Sequence, residues 1–139
     1  MLVVLAMLLA ACAREPDEQA LRDRIVQMAT ALEERMPALF MTGVAEDFTG
    51  QQGQLDRRTL HALVRAETMR HQSLGITFGP MDVTMHGERA TVRFKVFARG
   101  GSGSFIPEQA GTYEVESGWK KGGDDWVVYS ARWERAGML

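Results

Sequence analysis

The chain has 139 residues, which is enough for one domain with a substantial apolar core. Its 16 basic and 18 acidic residues give a formal net charge of -2, and no basic cluster supplies the footprint of a nucleic-acid-binding protein. The single cysteine excludes an internal disulfide. We therefore expect one domain that is stabilised by packing and does not bind nucleic acid.

The N-terminal segment has the length and apolarity expected of a processing signal. Residues 1–13 have no charged side chain and are too few to cross a bilayer, which takes about 20 apolar residues. The segment ends in Leu9-Ala10-Ala11-Cys12, which resembles the bacterial lipobox. The resemblance implies cleavage before Cys12 and attachment of lipid to that cysteine, so we expect a lipoprotein signal peptide at 1–11 and a lipidated tether at 12–16.

The lipobox resemblance also implies a location. The protein would be anchored in the bacterial cell envelope and face the periplasm, and Ala13, which is not an acid, favours the outer membrane by analogy with enteric bacteria. The alternative is a buried N-terminal strand or helix with a core cysteine. The abrupt change to the polar stretch AREPDEQ argues against that alternative.

A first helix is predicted from Pro16. Proline in the first turn and the acids Asp17 and Glu18 near the positive end of the helix dipole are typical of a helix start. Apolar residues then recur at steps of three and four and form one stripe: Leu21, Ile25, Met28, Ala29, Leu32 and Met36. Pro37 should end or kink this helix, and a second short piece should follow it.

A glycine-rich break and a further helix are predicted next. Residues 43–54 contain three glycines, with Phe48 as the expected core anchor. Asp56 should cap a helix that runs to about His71. The predicted inner stripe of this helix consists of Leu60, Leu63, Val64, Glu67, His71 and Leu74.

From Ile76 the apolar period changes from helical to two, which is typical of strands. Four antiparallel strands are predicted, with their alternating cores at 76–85, 92–96, 113–119 and 126–133. A long connection from Arg99 to Gly111 should join the second strand to the third. Helices followed by a four-stranded antiparallel sheet predict an α+β fold.

Charges on the second and third strands favour their pairing. If these strands are neighbours, Arg93 and Lys95 can face Glu114 and Glu116, which is mildly stabilising. The helices should then cover the opposite face, which carries Val92, Phe94, Val96, Tyr113, Val115 and Trp119.

Three stretches suggest a family. AEDFTG, GERATVRF and VESGWKKGGDDWVVYSARW resemble the nuclear transport factor 2-like superfamily, the cystatin-like α+β cone, over residues 17–135, with a tail at 136–139. The resemblance implies helices packed on a curved sheet, and homodimerisation through that sheet is common in the superfamily. It includes isomerases, dehydratases, polyketide cyclases and non-catalytic binding modules, so function has to be argued from the site.

Glu67 and His71 are the candidate catalytic residues. Enzymes of the superfamily place an acid or a His–Asp pair inside the cone, and these two residues lie four apart on the inner side of the second long helix. The alternative is structural, because His71 and Arg70 would complement the negative end of the helix dipole.

Four aromatic residues are candidates for ligand binding: Phe94, Phe105, Tyr113 and Trp119. The alternative for the tryptophans is core and hairpin packing. Phe105, at the apolar tip of the long connection, can plug the cone, close over a pocket or contact a partner.

The three histidines have no metal-ligand spacing, so we expect no metal site and no cofactor. Three hypotheses remain. The domain binds a small apolar ligand or a protein partner without catalysis, it is an isomerase- or cyclase-like enzyme that uses Glu67 and His71, or it is a structural accessory of an envelope assembly.

Overall fold

The computed structural model describes residues 16–101 and 109–136. The helices are α1 (Pro16–Glu33), α2 (Pro37–Met41) and α3 (Arg57–Arg70), and a 3-10 turn covers Gln51–Gly53. The strands are β1 (Val44–Gly50), β2 (Leu55–Asp56), β3 (Ser73–Phe78), β4 (Asp82–His86), β5 (Arg89–Gly101), β6 (Gln109–Gly122) and β7 (Asp125–Arg135). Within these ranges no helix has the length and apolarity needed to cross a membrane. The predicted signal peptide, Cys12 and Phe105 lie outside the described residues.

The sheet is larger than predicted. In the described part of the chain it has seven strands instead of four, in the order β2-β1-β7-β6-β5-β3, with β4 also paired to β5. It is mixed and not purely antiparallel, because β1 runs parallel to β7. The α+β class is confirmed, but the prediction of a four-stranded antiparallel sheet is wrong.

Local irregularities explain the missed strands. β1 occupies the segment predicted as a break, and its pairing with β7 shifts register between Val44 and Thr49, which destroys the period of two. Gly79 and Pro80 divide the predicted strand 76–85 into β3 and β4, which pair with different halves of β5. Phe48 is nevertheless buried as expected.

The pairing predicted from charge is confirmed. Arg93 lies opposite Glu116, and Lys95 lies opposite Glu114. Pairing of β5 with β6 continues to Gly100 and Gln109, so the connection predicted from Arg99 to Gly111 is shorter than expected. One cross-strand register therefore fixes the two faces of the central sheet, because alternate residues of a strand point to opposite sides.

The core lies between the helices and one face of the sheet. The helices supply Leu21, Ile25 and Met28 from α1 and Leu60 and Val64 from α3, all buried. They meet a set of buried residues from the sheet: Val44, Phe48, Ala90, Val92, Trp119, Trp126 and Val128. We call this face of the sheet the inner face and the opposite one the outer face.

Two arginines tie the helices to the loops and strands beside them. Arg24 donates hydrogen bonds to the carbonyl oxygens of Thr42 (2.7 Å) and Trp126 (3.2 Å), and Arg57 donates to that of Val44 (3.4 Å). These carbonyls lie at element ends, where a guanidinium can satisfy acceptors that the sheet leaves unpaired.

The start of α3 follows its predicted cap. The carboxylate of Asp56 accepts a hydrogen bond from the backbone N–H of Thr59 at 2.8 Å. This bond lowers the pKa of Asp56, because the donor favours the charged carboxylate. Of the predicted inner stripe, Leu60 and Val64 are buried, whereas Leu63 is exposed.

Candidate functional site

The inner face is filled by the protein's own side chains. Trp119 is 4% exposed, and its indole N–H donates to the Ser117 hydroxyl at 2.8 Å, which in turn donates to the carbonyl of Val92 at 3.0 Å. Phe94 packs edge-on against Phe78, with ring centroids 5.4 Å apart. Trp119 therefore occupies the core with its one polar atom satisfied, and Phe94 is largely covered by a neighbouring ring.

The predicted pair Glu67 and His71 is brought together. The imidazole Nε2 of His71 lies 3.4 Å from the carboxylate of Glu67, which also pairs with Arg70 at 3.2 Å. His71 is only 7% exposed, while the Glu67 side chain is 42% exposed. The pair thus lies at the surface end of the cone, with the imidazole inside and the carboxylate facing water.

The His71 ring rests against the backbone of Gly100. A Cβ at Gly100 would lie 2.5 Å from Nδ1 of His71, well inside van der Waals contact. Gly100 shares the inner face with Val92 and Phe94, because all three lie an even number of residues apart on β5. The imidazole can therefore lie against the sheet only because Gly100 has no side chain.

The predicted site residues do not form one site. Trp119 lies opposite Ala90, Tyr113 lies opposite Val96, and His71 packs on Gly100. Ala90 and Gly100 are separated by roughly 30 Å of extended strand. The candidates for ligand binding and for catalysis therefore lie along the length of the inner face, with Trp119 and His71 at its two ends.

The outer face carries two parallel rows of charge. We call the first the arginine row and the second the glutamate row. The arginine row consists of Arg93, Glu116 and Arg132, side by side on β5, β6 and β7. The glutamate row consists of Lys95, Glu114 and Glu134 on the same three strands.

The arginine row is a bonded network. Arg132 donates from Nε (3.1 Å) and from a terminal nitrogen (2.6 Å) to one oxygen of Glu116, and Arg93 donates to the other oxygen at 3.2 Å. The hydrogen bonds from Arg132 and then Arg93 hold the pKa of Glu116 below its ordinary value. In the glutamate row Lys95 lies 3.6 Å from Glu114. Glu116 therefore stays ionised at neutral pH between two guanidinium groups.

A cleft of about 810 Å³ lies over these two rows. Its lining includes all six row residues, Gly79 and Pro80 on the β5 side, and Gln51, Gln52 and Gln54 on the β7 side. Glu67 and His71 are not among the lining residues. Phe94, a predicted ligand-binding residue, is among them. The acids and bases of the cleft were predicted only to pair across the strands, so the cleft itself was not predicted.

The glutamine wall of the cleft has an unusual backbone. Gln51 and Gln52 have φ angles of 50° and 59°, in the left-handed region that non-glycine residues rarely adopt. The side-chain amide of Gln51 accepts from the backbone N–H of Trp133 at 3.0 Å and donates to its carbonyl at 3.1 Å. This double hydrogen bond fixes the turn against β7, so the side of the cleft is held in one shape.

No group of three or more His, Cys, Asp or Glu residues within 16–101 and 109–136 could hold a metal ion. No protein-family model matches the chain, and no curated protein matches it.

Solved structures do resemble it. A proposed scytalone dehydratase from Novosphingobium aromaticivorans is 12% identical, with a TM-score of 0.79 over 87% of this chain and 85% of that one. A proposed dehydratase of the nuclear transport factor 2-like family from Streptomyces avermitilis is 11% identical, with a TM-score of 0.76 over 89% of this chain and 100% of that one. A protein with a cystatin-like fold from Nostoc punctiforme is 12% identical, with a TM-score of 0.72 over 91% of this chain and 96% of that one. At such low identity the likeness bears on fold alone, and it shows that the chain has the nuclear transport factor 2-like, cystatin-like α+β cone fold.

Proposed function

We propose that the chain is a lipid-anchored envelope protein whose cone-shaped domain binds a protein partner and has no catalytic role. One observation carries the proposal: the inner face is packed with the protein's own side chains, whereas the outer face presents a broad charged cleft. Small-molecule sites are mostly apolar concavities with a few polar groups. The lining includes Phe94, Val115 and Trp133, but six charged and three amide residues outnumber them, which fits a polar surface of another macromolecule better.

The test is site-specific crosslinking in the cells that produce the protein. A photoreactive amino acid replaces Gln52, at the wall of the cleft, and in a matched control it replaces Arg65, on the exposed side of α3. We expect a discrete adduct with another protein from position 52 only. Adducts of equal yield from both positions, or none from either, would overturn the proposal. An adduct of the protein with itself would assign the cleft to the homodimer predicted through the sheet.

A second measurement distinguishes a protein partner from the predicted small apolar ligand. Native mass spectrometry of the full-length protein, released from detergent, should show the mass of the lipidated chain without an additional small molecule. A reproducible extra mass of small-molecule size would favour a ligand in the cone. Its predicted binding residues are Phe94, Phe105, Tyr113 and Trp119.

The second candidate function is an isomerase- or cyclase-like enzyme. It is favoured by the distance of 3.4 Å between His71 and Glu67 and by the proposed dehydratase role of two structures with the same fold. A carboxylate beside an imidazole can orient a general base. If this candidate is correct, His71→Ala will abolish turnover of a substrate found by screening. Turnover that survives this substitution would show that the catalytic role assigned to His71 and Glu67 is wrong.

A further inference from the structure

The charges of the cleft are unequally divided between its two rows. The arginine row has two guanidinium groups and one carboxylate, an excess of positive charge, and the glutamate row has one ammonium and two carboxylates, an excess of negative charge. A partner that matches this division has an anionic group over the first row and a cationic group over the second.

The arginine row retains donors for such an anion. Arg93 and Arg132 are 65% and 61% exposed, although both bind Glu116. Each guanidinium has five N–H donors in a planar fork, of which the Glu116 carboxylate engages one on Arg93 and two on Arg132. The remaining N–H groups can bind a carboxylate.

The glutamate row retains acceptors for a cation. Glu114 is half exposed and pairs with Lys95 at 3.6 Å, a distance that leaves the pair loose. Glu134 lies beside Glu114 on β7 and is exposed. A basic side chain placed between these two carboxylates would offset their mutual repulsion.

The spacing of the rows selects the shape of the partner. Arg93 and Lys95 are two residues apart on β5, which places the rows about 7 Å apart. Two side chains on the same face of an extended peptide have the same separation. The α-ammonium and α-carboxylate of a free amino acid are much closer together, so that pair of charges alone cannot reach both rows.

The width of the cleft fits one extended chain. The walls, Gly79 with Pro80 on one side and Gln52 with Gln54 on the other, enclose three strands, which span roughly 10 Å between the outer two. A peptide lying along β6 would cross both rows, and the glutamine amides would face its backbone polar groups. Backbone strain such as that of Gln51 and Gln52 is found at ligand-binding sites more often than elsewhere.

We propose that the outer-face cleft binds an extended segment of the partner protein in which an acidic and a basic residue are separated by one residue. The inference rests on the proposed function and adds the chemistry of the partner to it. The chain direction is open, because the segment can cross the two rows in either direction.

The test selects binders from a random peptide library on the full-length protein in detergent. We expect enriched peptides to carry opposite charges two positions apart, and substitution of both charges by glutamine in the best peptide to weaken its binding about tenfold or more. The Arg132→Gln and Glu134→Gln variants should each lose this preference. Arg65→Gln, which removes an exposed arginine from α3, should keep it. Circular dichroism checks that each variant is folded.

The outcomes separate the two proposals. Peptides without the predicted spacing, or equal binding by Arg132→Gln and Arg65→Gln, would overturn the inference. If the Gln52 crosslink still captures another protein in that case, the protein-binding function stands and only the chemistry of the partner is wrong. If the crosslink captures only a second copy of the chain, the inference is wrong as well, because the occupant is the protein itself.

Discussion

A single missing methyl group decides where His71 lies. The imidazole packs directly on Gly100, and a Cβ there would meet the ring at 2.5–2.7 Å. The colliding atoms belong to the ring itself and not to the end of a flexible chain, so the ring must move if a methyl group is added. The histidine is therefore held by shape as well as by its contact with Glu67.

We expect Gly100→Ala to lower the free energy of unfolding by about 1–3 kcal/mol, as overpacking usually does. Gly75→Ala is the matched control, because its Cβ would have 4.0 Å to the nearest atom, and its effect should stay within about 0.5 kcal/mol. Urea denaturation measures both. In a double-mutant cycle, His71→Ala should relieve most of the cost of Gly100→Ala. Additive effects would show that the ring is not what the methyl group meets.

Glu116 provides a pH-dependent contribution to stability. Its folded pKa lies below the ordinary value of 4.5 because Arg132 and Arg93 donate hydrogen bonds to it. The contribution is therefore complete above that ordinary value and is lost as the pH falls through the lower, folded pKa.

We expect Glu116→Gln to be less stable than the unsubstituted protein at pH 7, and the gap between them to narrow in acid. The measurement is the urea midpoint of both proteins at a series of pH values in dilute buffer, because salt screens such exposed pairs. Glu134→Gln, which removes the carboxylate opposite Glu114 in the glutamate row, is the comparison. A gap that is independent of pH would contradict the assignment.

At the scale of elements, regular alternation was predictable and its interruptions were not. The cross-strand pairing of Arg93 with Glu116 follows from charge and a period of two, and the helix start at Asp56 follows from capping chemistry. β1 was missed because two adjacent acids, Glu46 and Asp47, and a register shift break its alternation. The cleft was missed for a related reason: its walls are turns, and the sequence does not show which turns fold over the outer face.

The turn at Gln51–Gly53 offers a direct test of strain. Gln52 is exposed and has a left-handed backbone, so Gln52→Gly should raise the free energy of unfolding by about 0.5–1 kcal/mol. Gln54→Gly is the control, because Gln54 has a φ of -80°, where glycine brings only added flexibility and should destabilise. Thermal unfolding compares the two. Destabilisation by both substitutions would mean that the turn is not strained at Gln52.

At the scale of the whole molecule, the proposed anchor affects how the proposed binding face meets its partner. α1 begins at Pro16, only a few residues after the predicted lipidated Cys12, so an anchored domain would stay close to the membrane surface. A protein held there would meet a partner in the same membrane mainly by motion in two dimensions, which raises the effective concentration of a weakly binding site. Modest affinity at the charged cleft would then suffice.

We expect Cys12→Ala to abolish incorporation of labelled fatty acid, since the lipid would be attached to that cysteine. Metabolic labelling of cells measures this incorporation. Thr84→Ala, on the exposed side of β4, is the control substitution and should leave the labelling unchanged. Incorporation of label that persists in Cys12→Ala would overturn the proposed anchor.

The parallel pairing of β1 with β7 has a consequence for how the chain acquires its structure. Of the strands in the described residues, β1 comes first and β7 last, and the two meet from Val44 opposite Val128 to Gly50 opposite Ala131. Contacts between such distant segments form slowly, because the entropy of closing a long loop is lost before the contacts stabilise the chain. The β5–β6–β7 meander can assemble first from neighbouring segments. While the chain is being made, the edge of β1 that pairs with β7 has no partner, so an incomplete chain exposes a strand edge that is prone to aggregate until β7 is made.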